Sequence, residues 1–106
     1  PSTASRFALG LDPSRWAVQV HAGNGIVRAH GKGDRPLDDW AREVGRLRAV
    51  AVRDGGNVTL SRCPTEWKEK LRVWGHPRAD WPLMERVKRA LDPAGVMNPG
   101  RFVGTI

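Results

Sequence analysis

Apolar positions along this chain switch between a period of two and a period of three to four, and the switches mark the elements. Trp16, Val18, Val20 and Ala22 alternate with Ala17, Gln19 and His21, the pattern of a strand with one buried face. Asn24-Gly25 follows, the pair favoured in a two-residue type I′ turn, and the alternation resumes with Val27 and Ala29. That turn places Ala22 opposite Val27 and Val20 opposite Ala29. On the other side His21 faces Arg28 and Gln19 faces His30. The predicted hairpin therefore has one apolar face and one polar row of His, Gln and Arg.

From Pro36 to Asp54 the period lengthens. Trp40, Val44, Leu47 and Ala51 form one helix stripe, with Asp38 and Asp39 in the first turn and Arg53 in the last, as the helix dipole favours. Gly55-Gly56 ends the helix. Asn57–Arg62 alternates Val58 and Leu60 with polar residues and predicts a short strand, stopped by Pro64. Thr65 is expected to cap a helical turn running to Leu71. Val73-Trp74-Gly75-His76-Pro77 is a loop anchored by its aromatic. Asp80 is the expected N-cap of a last helix, with Pro82 in its first turn. Leu83 or Met84, then Val87 and Leu91, make its inner stripe, and Asp92-Pro93 stops it. Residues 1–13 read as a leader with an ordered strand around Phe7–Leu11. The order of elements predicts an α+β fold, a small antiparallel sheet with helices packed on one face.

The length of 106 residues fits one domain, 1–106. No run of apolar residues is long enough to span a bilayer. The opening Pro1-Ser2-Thr3-Ala4-Ser5 lacks an initiator Met and an apolar signal core, so a piece of a longer protein is expected. The net charge of +7, from fourteen Arg and four Lys, suits an anionic partner or cofactor, yet the charges are scattered along the whole chain. The five Trp are evenly spread, which suits core and interface anchors better than a stacking platform for bases. The single Cys63 excludes an internal disulfide and any cysteine-based zinc site, and reads as a small buried hydrophobe. Gly31-Lys32-Gly33-Asp34 lacks the context of a dinucleotide fingerprint. His21, His30 and His76 come from separate elements, a weak signal for a metal, and no metal site is expected.

The tail Met84-Glu85-Arg86-Val87-Lys88-Arg89-Ala90-Leu91-Asp92-Pro93-Ala94-Gly95-Val96-Met97-Asn98-Pro99-Gly100-Arg101-Phe102 resembles the end of the FAD-linked oxidases related to vanillyl-alcohol oxidase and D-lactate dehydrogenase, which close with K-x-x-x-D-P-x-G-x-x-N-P-G-K/R. His21-Ala22-Gly23-Asn24-Gly25 is similar to the family's H-x-G-D-G-N element, and Gly55-Gly56-Asn57-Val58 to its glycine-led strand. The resemblance runs over roughly residues 16 to 104. Metal-dependent members carry a second His where this chain has Arg28, and a G-E-H-G segment where it reads Leu60-Ser61-Arg62-Cys63-Pro64. Both departures remove ligands. Arg62-Cys63-Pro64 with Val73-Trp74-Gly75 looks most like the FAD-binding E-type subunit of glycolate oxidase.

The resemblance implies a C-terminal cap fragment of an FAD-dependent 2-hydroxy-acid oxidoreductase, with FAD held mainly by an N-terminal FAD-binding domain absent here. It implies Asn98 as the cofactor-side residue. His21 and Arg28 are its candidate catalytic residues, on the sheet face turned toward the flavin. Arg28 has two readings, a partner for a substrate carboxylate or a contact to a partner subunit or FAD phosphate. The implied partners are the chain's own FAD-binding domain, a larger flavoprotein subunit, an iron–sulfur subunit and a small 2-hydroxy acid. The implied location is cytoplasmic, with membrane association through partner subunits. The fragment alone is expected to be inactive, and to self-associate through apolar surface left by the missing domain. The rival readings are a small basic nucleic-acid-binding module and a non-catalytic assembly subunit.

Overall fold

A computed structural model describes residues 2–105 as an α+β domain. The helix α1 spans Thr3–Leu9 and the strands β1 and β2 span Trp16–His21 and Ile26–Gly31. The long helix α2 spans Leu37–Arg53, a short 3-10 turn at Thr65–Trp67 runs into α3, Lys68–Leu71, and α4 spans Trp81–Leu91. A final turn covers Val103–Thr105.

The N-terminal leader is a helix, not the strand expected around Phe7–Leu11. Ser2 accepts the Ser5 N–H at 3.2 Å and caps the first turn. Helical spacing then puts Ala4, Phe7 and Leu11 on one side, where Ala4 and Leu11 are buried. Seven residues make a marginal helix alone; this one rests on both strands of the hairpin.

The hairpin forms with its faces as expected and its register moved by two residues. Val20 lies opposite Val27, Gln19 opposite Arg28 and His21 opposite Ile26. The turn uses residues 22–25 because Gly25 takes a positive φ of 72° and Asn24 does not, which rules out a type I′ turn. Asn24 instead accepts the Ile26 N–H through its side chain at 3.3 Å. A shift of two leaves every residue on its original face.

The helices α1 and α2 pack on the apolar face. Leu11, Trp16 and Leu47 form its buried centre, with Phe7, Val27 and Trp40 around them. The rings of Trp16 and Trp40 meet edge to face at 5.3 Å. A Cβ on Gly31 would lie 2.1 Å from Trp40 Cη2, so only glycine lets α2 approach β2 this closely. Trp16 Nε1 donates to Glu43, whose carboxyl is held below its ordinary range by Arg46 first and then by Trp16.

Residues 57–62 are not a strand; the described residues contain two strands. The segment is held by the side of α2 instead. Arg48, 8% exposed, donates from Nη1 to the Leu71 carbonyl at 2.7 Å and from Nη2 to the Arg72 carbonyl at 2.6 Å. Its Nε reaches the Val58 carbonyl at 3.4 Å. Leu60 N–H pairs with the Val73 carbonyl at 2.8 Å. One guanidinium thus ties three backbone segments together, and burial followed by the nearby Arg72 charge pulls it below its ordinary pKa. Thr65 does not cap through its side chain. The radius of gyration is 15.6 Å, against about 13 Å for a compact chain of this length. The molecule is elongated because α4 packs mainly on the final turn.

Candidate functional site

The last thirty or so residues are organised around one buried carboxylate. The last helix, α4, starts where expected, after Asp80, but the Asp80 side chain makes no capping bond and pairs with Arg78 at 2.8 Å. The helix ends at Leu91, and Asp92, 7% exposed, folds the tail back. Its two oxygens accept the Val96 and Met97 N–H groups, each at 2.9 Å, and the Lys88 ammonium joins the same carboxylate. Lys88 Nζ also donates to the Met97 carbonyl at 2.6 Å. Lys88 chiefly, then the two amides, hold the Asp92 carboxyl below the usual range.

The clasp explains the residue types around it. Pro93 cannot continue the helix, and Gly95 adopts φ 65°, open to glycine at little cost. Beyond the clasp Asn98 takes φ 49° and its carbonyl accepts the Arg101 N–H at 3.2 Å. The Asn98 side chain is left exposed at the apex of a turn. Phe102 then returns to the Trp74 ring, edge to face at 5.6 Å, and Val103 is buried.

The apolar stripe of α4 runs opposite to expectation. Leu83 and Val87 are exposed and Leu91 is 77% exposed, continuing into Val96 at 75% and Met97. These residues are spaced to share a face, but no other described element covers it. Arg89 pairs with Glu85 on another face of the helix. Such a patch on a chain of this size marks a contact surface.

His21 and Arg28 lie on the polar face of the hairpin, both exposed and diagonal to one another rather than opposite. Neither makes a side-chain hydrogen bond or ion pair among the described residues. Asn98 sits in a different part of the chain, so the three candidates do not form one cluster within the elements that pack together. Sequence reasoning missed two groups. The Lys88–Asp92 clasp was visible as an i,i+4 pair before a proline. Arg48 sits between Val44 and Ala51 on the buried stripe, the position that could have flagged it. Among the described residues no group of His, Cys, Asp and Glu is arranged to hold a metal. No described helix is long and apolar enough to cross a membrane.

Residues 73–102 match the family of FAD linked oxidases, C-terminal domain. The match spans just over a quarter of the chain. It encloses the Trp74 loop, α4, the Asp92 clasp and Asn98. His21, Arg28 and Gly55-Gly56 lie outside it. No curated protein and no solved structure matches the chain. A cleft of about 470 Å³ is lined by residues such as Phe7, Leu47 and Val58 and by none of His21, Arg28 or Asn98. No residue of the FAD linked oxidase segment, 73–102, lines it. What segment 73–102 presents is an exposed apolar strip and an exposed Asn98.

Proposed function

We propose that the chain is the C-terminal cap of an FAD-dependent 2-hydroxy-acid oxidoreductase of the glycolate type, lying over the flavin of its own FAD-binding domain. One observation carries this reading: the matched segment 73–102 holds a tail clasped by Asp92 beside an apolar stripe that nothing described covers. When bound by the neighbouring domain, FAD supplies the two-electron acceptor for oxidation of the hydroxyl-bearing carbon.

The chain's own residues position and exclude. The stripe of Leu83, Val87 and Leu91 packs on the flavin domain and keeps water from the interface. Asp92 and Lys88 fix the turn that presents Asn98, whose amide donates to or accepts from a group at the cofactor edge. Arg28 offers a charge-assisted, bidentate contact to the carboxylate of a small 2-hydroxy acid, with His21 on the same sheet face. A larger flavoprotein subunit and an iron–sulfur subunit are the proposed partners for onward electron transfer, in the cytoplasm or at a membrane through those subunits. The spread of charge supports this over a nucleic-acid module. Arg42, Arg46, Arg78 and Arg89 each pair with a carboxylate, and Arg48 is buried.

The test uses the gene product expressed in full. Flavin absorbance is expected, with anaerobic bleaching by glycolate but not by acetate, and Arg28→Gln is expected to raise KM for glycolate at least about tenfold. The isolated 106-residue chain is expected to reduce no acceptor. Loss of the reading follows if the full product shows no flavin bands, or if no 2-hydroxy acid bleaches them.

A further inference from the structure

β2 has an open edge, and its phase can be read from the ladder. The Lys32 N–H donates to the Arg15 carbonyl at 2.8 Å, in line with the strand register. Antiparallel pairs that exchange both bonds alternate with pairs that exchange none. Ala17–His30, Gln19–Arg28 and His21–Ile26 are therefore the bonded pairs. The N–H and C=O groups of Val27 and Ala29 point out of the sheet, and none of them meets a backbone partner among the described residues.

The 470 Å³ cleft runs along this edge. It is lined by Val27 and Ala29 of the apolar face, by Ile26 and Trp16, and by Thr3, Ala4 and Phe7 of α1, but not by Val18 or Val20, so it opens on the β2 side of the sheet. Its far wall is the apolar stripe of α2 and residues 54–60. Within that wall Val58 and Leu60 spend backbone groups on Arg48 and Val73. Thr59 between them makes no backbone hydrogen bond among the described residues. The cleft thus has unused backbone groups on both sides and an apolar floor, which is what an added strand needs. Two strands alone are a marginal sheet.

We propose that this cleft receives one extended polypeptide segment, with apolar residues directed at α2 alternating with acidic residues beside Arg28. At about 3.3 Å per residue the edge from Val27 to Gly31 takes roughly five residues. The face carrying Gln19, His21, Arg28 and His30 holds no carboxylate, so complementarity asks for acidic side chains there. The same charges disfavour a second copy of this chain, since pairing two β2 edges would bring Arg28 and His30 against their like in a molecule of net charge +7. The cleft lies outside segment 73–102, and a peptide carboxylate beside Arg28 would compete with the substrate carboxylate contact proposed above.

The experiment titrates the 106-residue chain with short labelled peptides and follows fluorescence anisotropy. A peptide of alternating Val and Glu is expected to bind saturably, at least about fivefold tighter than one of alternating Val and Lys. Ala29→Pro removes an outward N–H while leaving the β1 ladder, and is expected to weaken binding at least about tenfold. A melt followed through Trp16 checks that this variant is folded. Arg28→Glu, a surface change, is expected to invert the preference toward the Val–Lys peptide. Amide exchange at Val27, Ala29 and Thr59 should slow on binding. No saturable binding of the Val–Glu peptide, equal binding of both peptides, or exchange that slows elsewhere only, each overturns the proposal. So does a dimer of the free chain that Ala29→Pro abolishes, because a second copy would then be the occupant.

Discussion

Around Trp16 the chain is held by apolar contact, with Trp16, Leu11 and Leu47 at the centre and Phe7, Val27 and Trp40 packed against them. Around Asp92 it is held by a carboxylate that gathers two backbone amides and an ammonium, while the apolar side chains of α4 face outward. Apolar contact is non-directional and leaves a stable scaffold. Charge-assisted hydrogen bonds fix direction, which is what presenting one side chain at a turn requires. The part that is a core and the part that presents a surface are thus built from different forces, and substitutions can pull them apart.

The largest effect is expected where the two regions join. Arg48→Ala removes the donor shared by the Val58, Leu71 and Arg72 carbonyls and leaves them without it. Loss of about 3 kcal/mol of unfolding free energy is expected in urea titrations. Arg48→Lys should recover only part, because a point-like ammonium cannot fork to three carbonyls. Recovery in full would mean that charge alone, not the fork, joins the halves. A smaller loss is expected from Gly31→Ala in the apolar region. The new methyl meets the Trp40 ring, and overpacking is expected to cost about 2 kcal/mol, read from the same titration.

How much of this was legible follows the same division. The hairpin faces and the Trp40–Val44–Leu47–Ala51 stripe came through because periodicity reports burial on a shared core. The register did not, since Asn24-Gly25 signals a turn but not whether Asn24 takes a positive φ. The strand over 57–62 failed because its alternation was real but its backbone is taken up by Arg48 and Val73. Most instructive is α4: its stripe was read correctly as a stripe and wrongly as inward, because periodicity shows that a face exists and not what covers it. The tail motif that contains Asn98 lies within the family match, whereas no match covers His21 and Arg28.

A smaller, local effect is expected at the clasp. Asp92→Asn leaves one acceptor where the carboxylate offered two, so one of the Val96 and Met97 amides loses its partner. Their hydrogen exchange is expected to speed up by roughly tenfold or more, with little change near Trp16. The pH dependence has a definite sign. The Asp92 carboxyl is held low in the folded chain, so the clasp contributes fully above the unfolded carboxylate value of about 4. That contribution is lost as pH falls through the lowered folded value. Trp74 fluorescence, which senses Phe102, should follow this loss in the native chain and stay flat over the same range in Asp92→Asn.

The smallest effect on stability carries the most functional meaning. Val87 and Leu91 are 49% and 77% exposed, so replacing both with Ser removes little buried area and should change unfolding free energy by no more than about 0.5 kcal/mol. If the stripe is a docking face, the same double substitution should abolish concentration-dependent association of the isolated chain and weaken its attachment to the proposed FAD-binding domain in the full product. A large loss of stability would show instead that the stripe packs within this chain in solution. An unchanged elution profile at every concentration, with attachment intact, would remove the stripe from function altogether. The Trp16 region offers the control: Leu47→Ala should cost about 3 kcal/mol through its cavity, yet leave association through α4 unaltered under conditions where the chain remains folded.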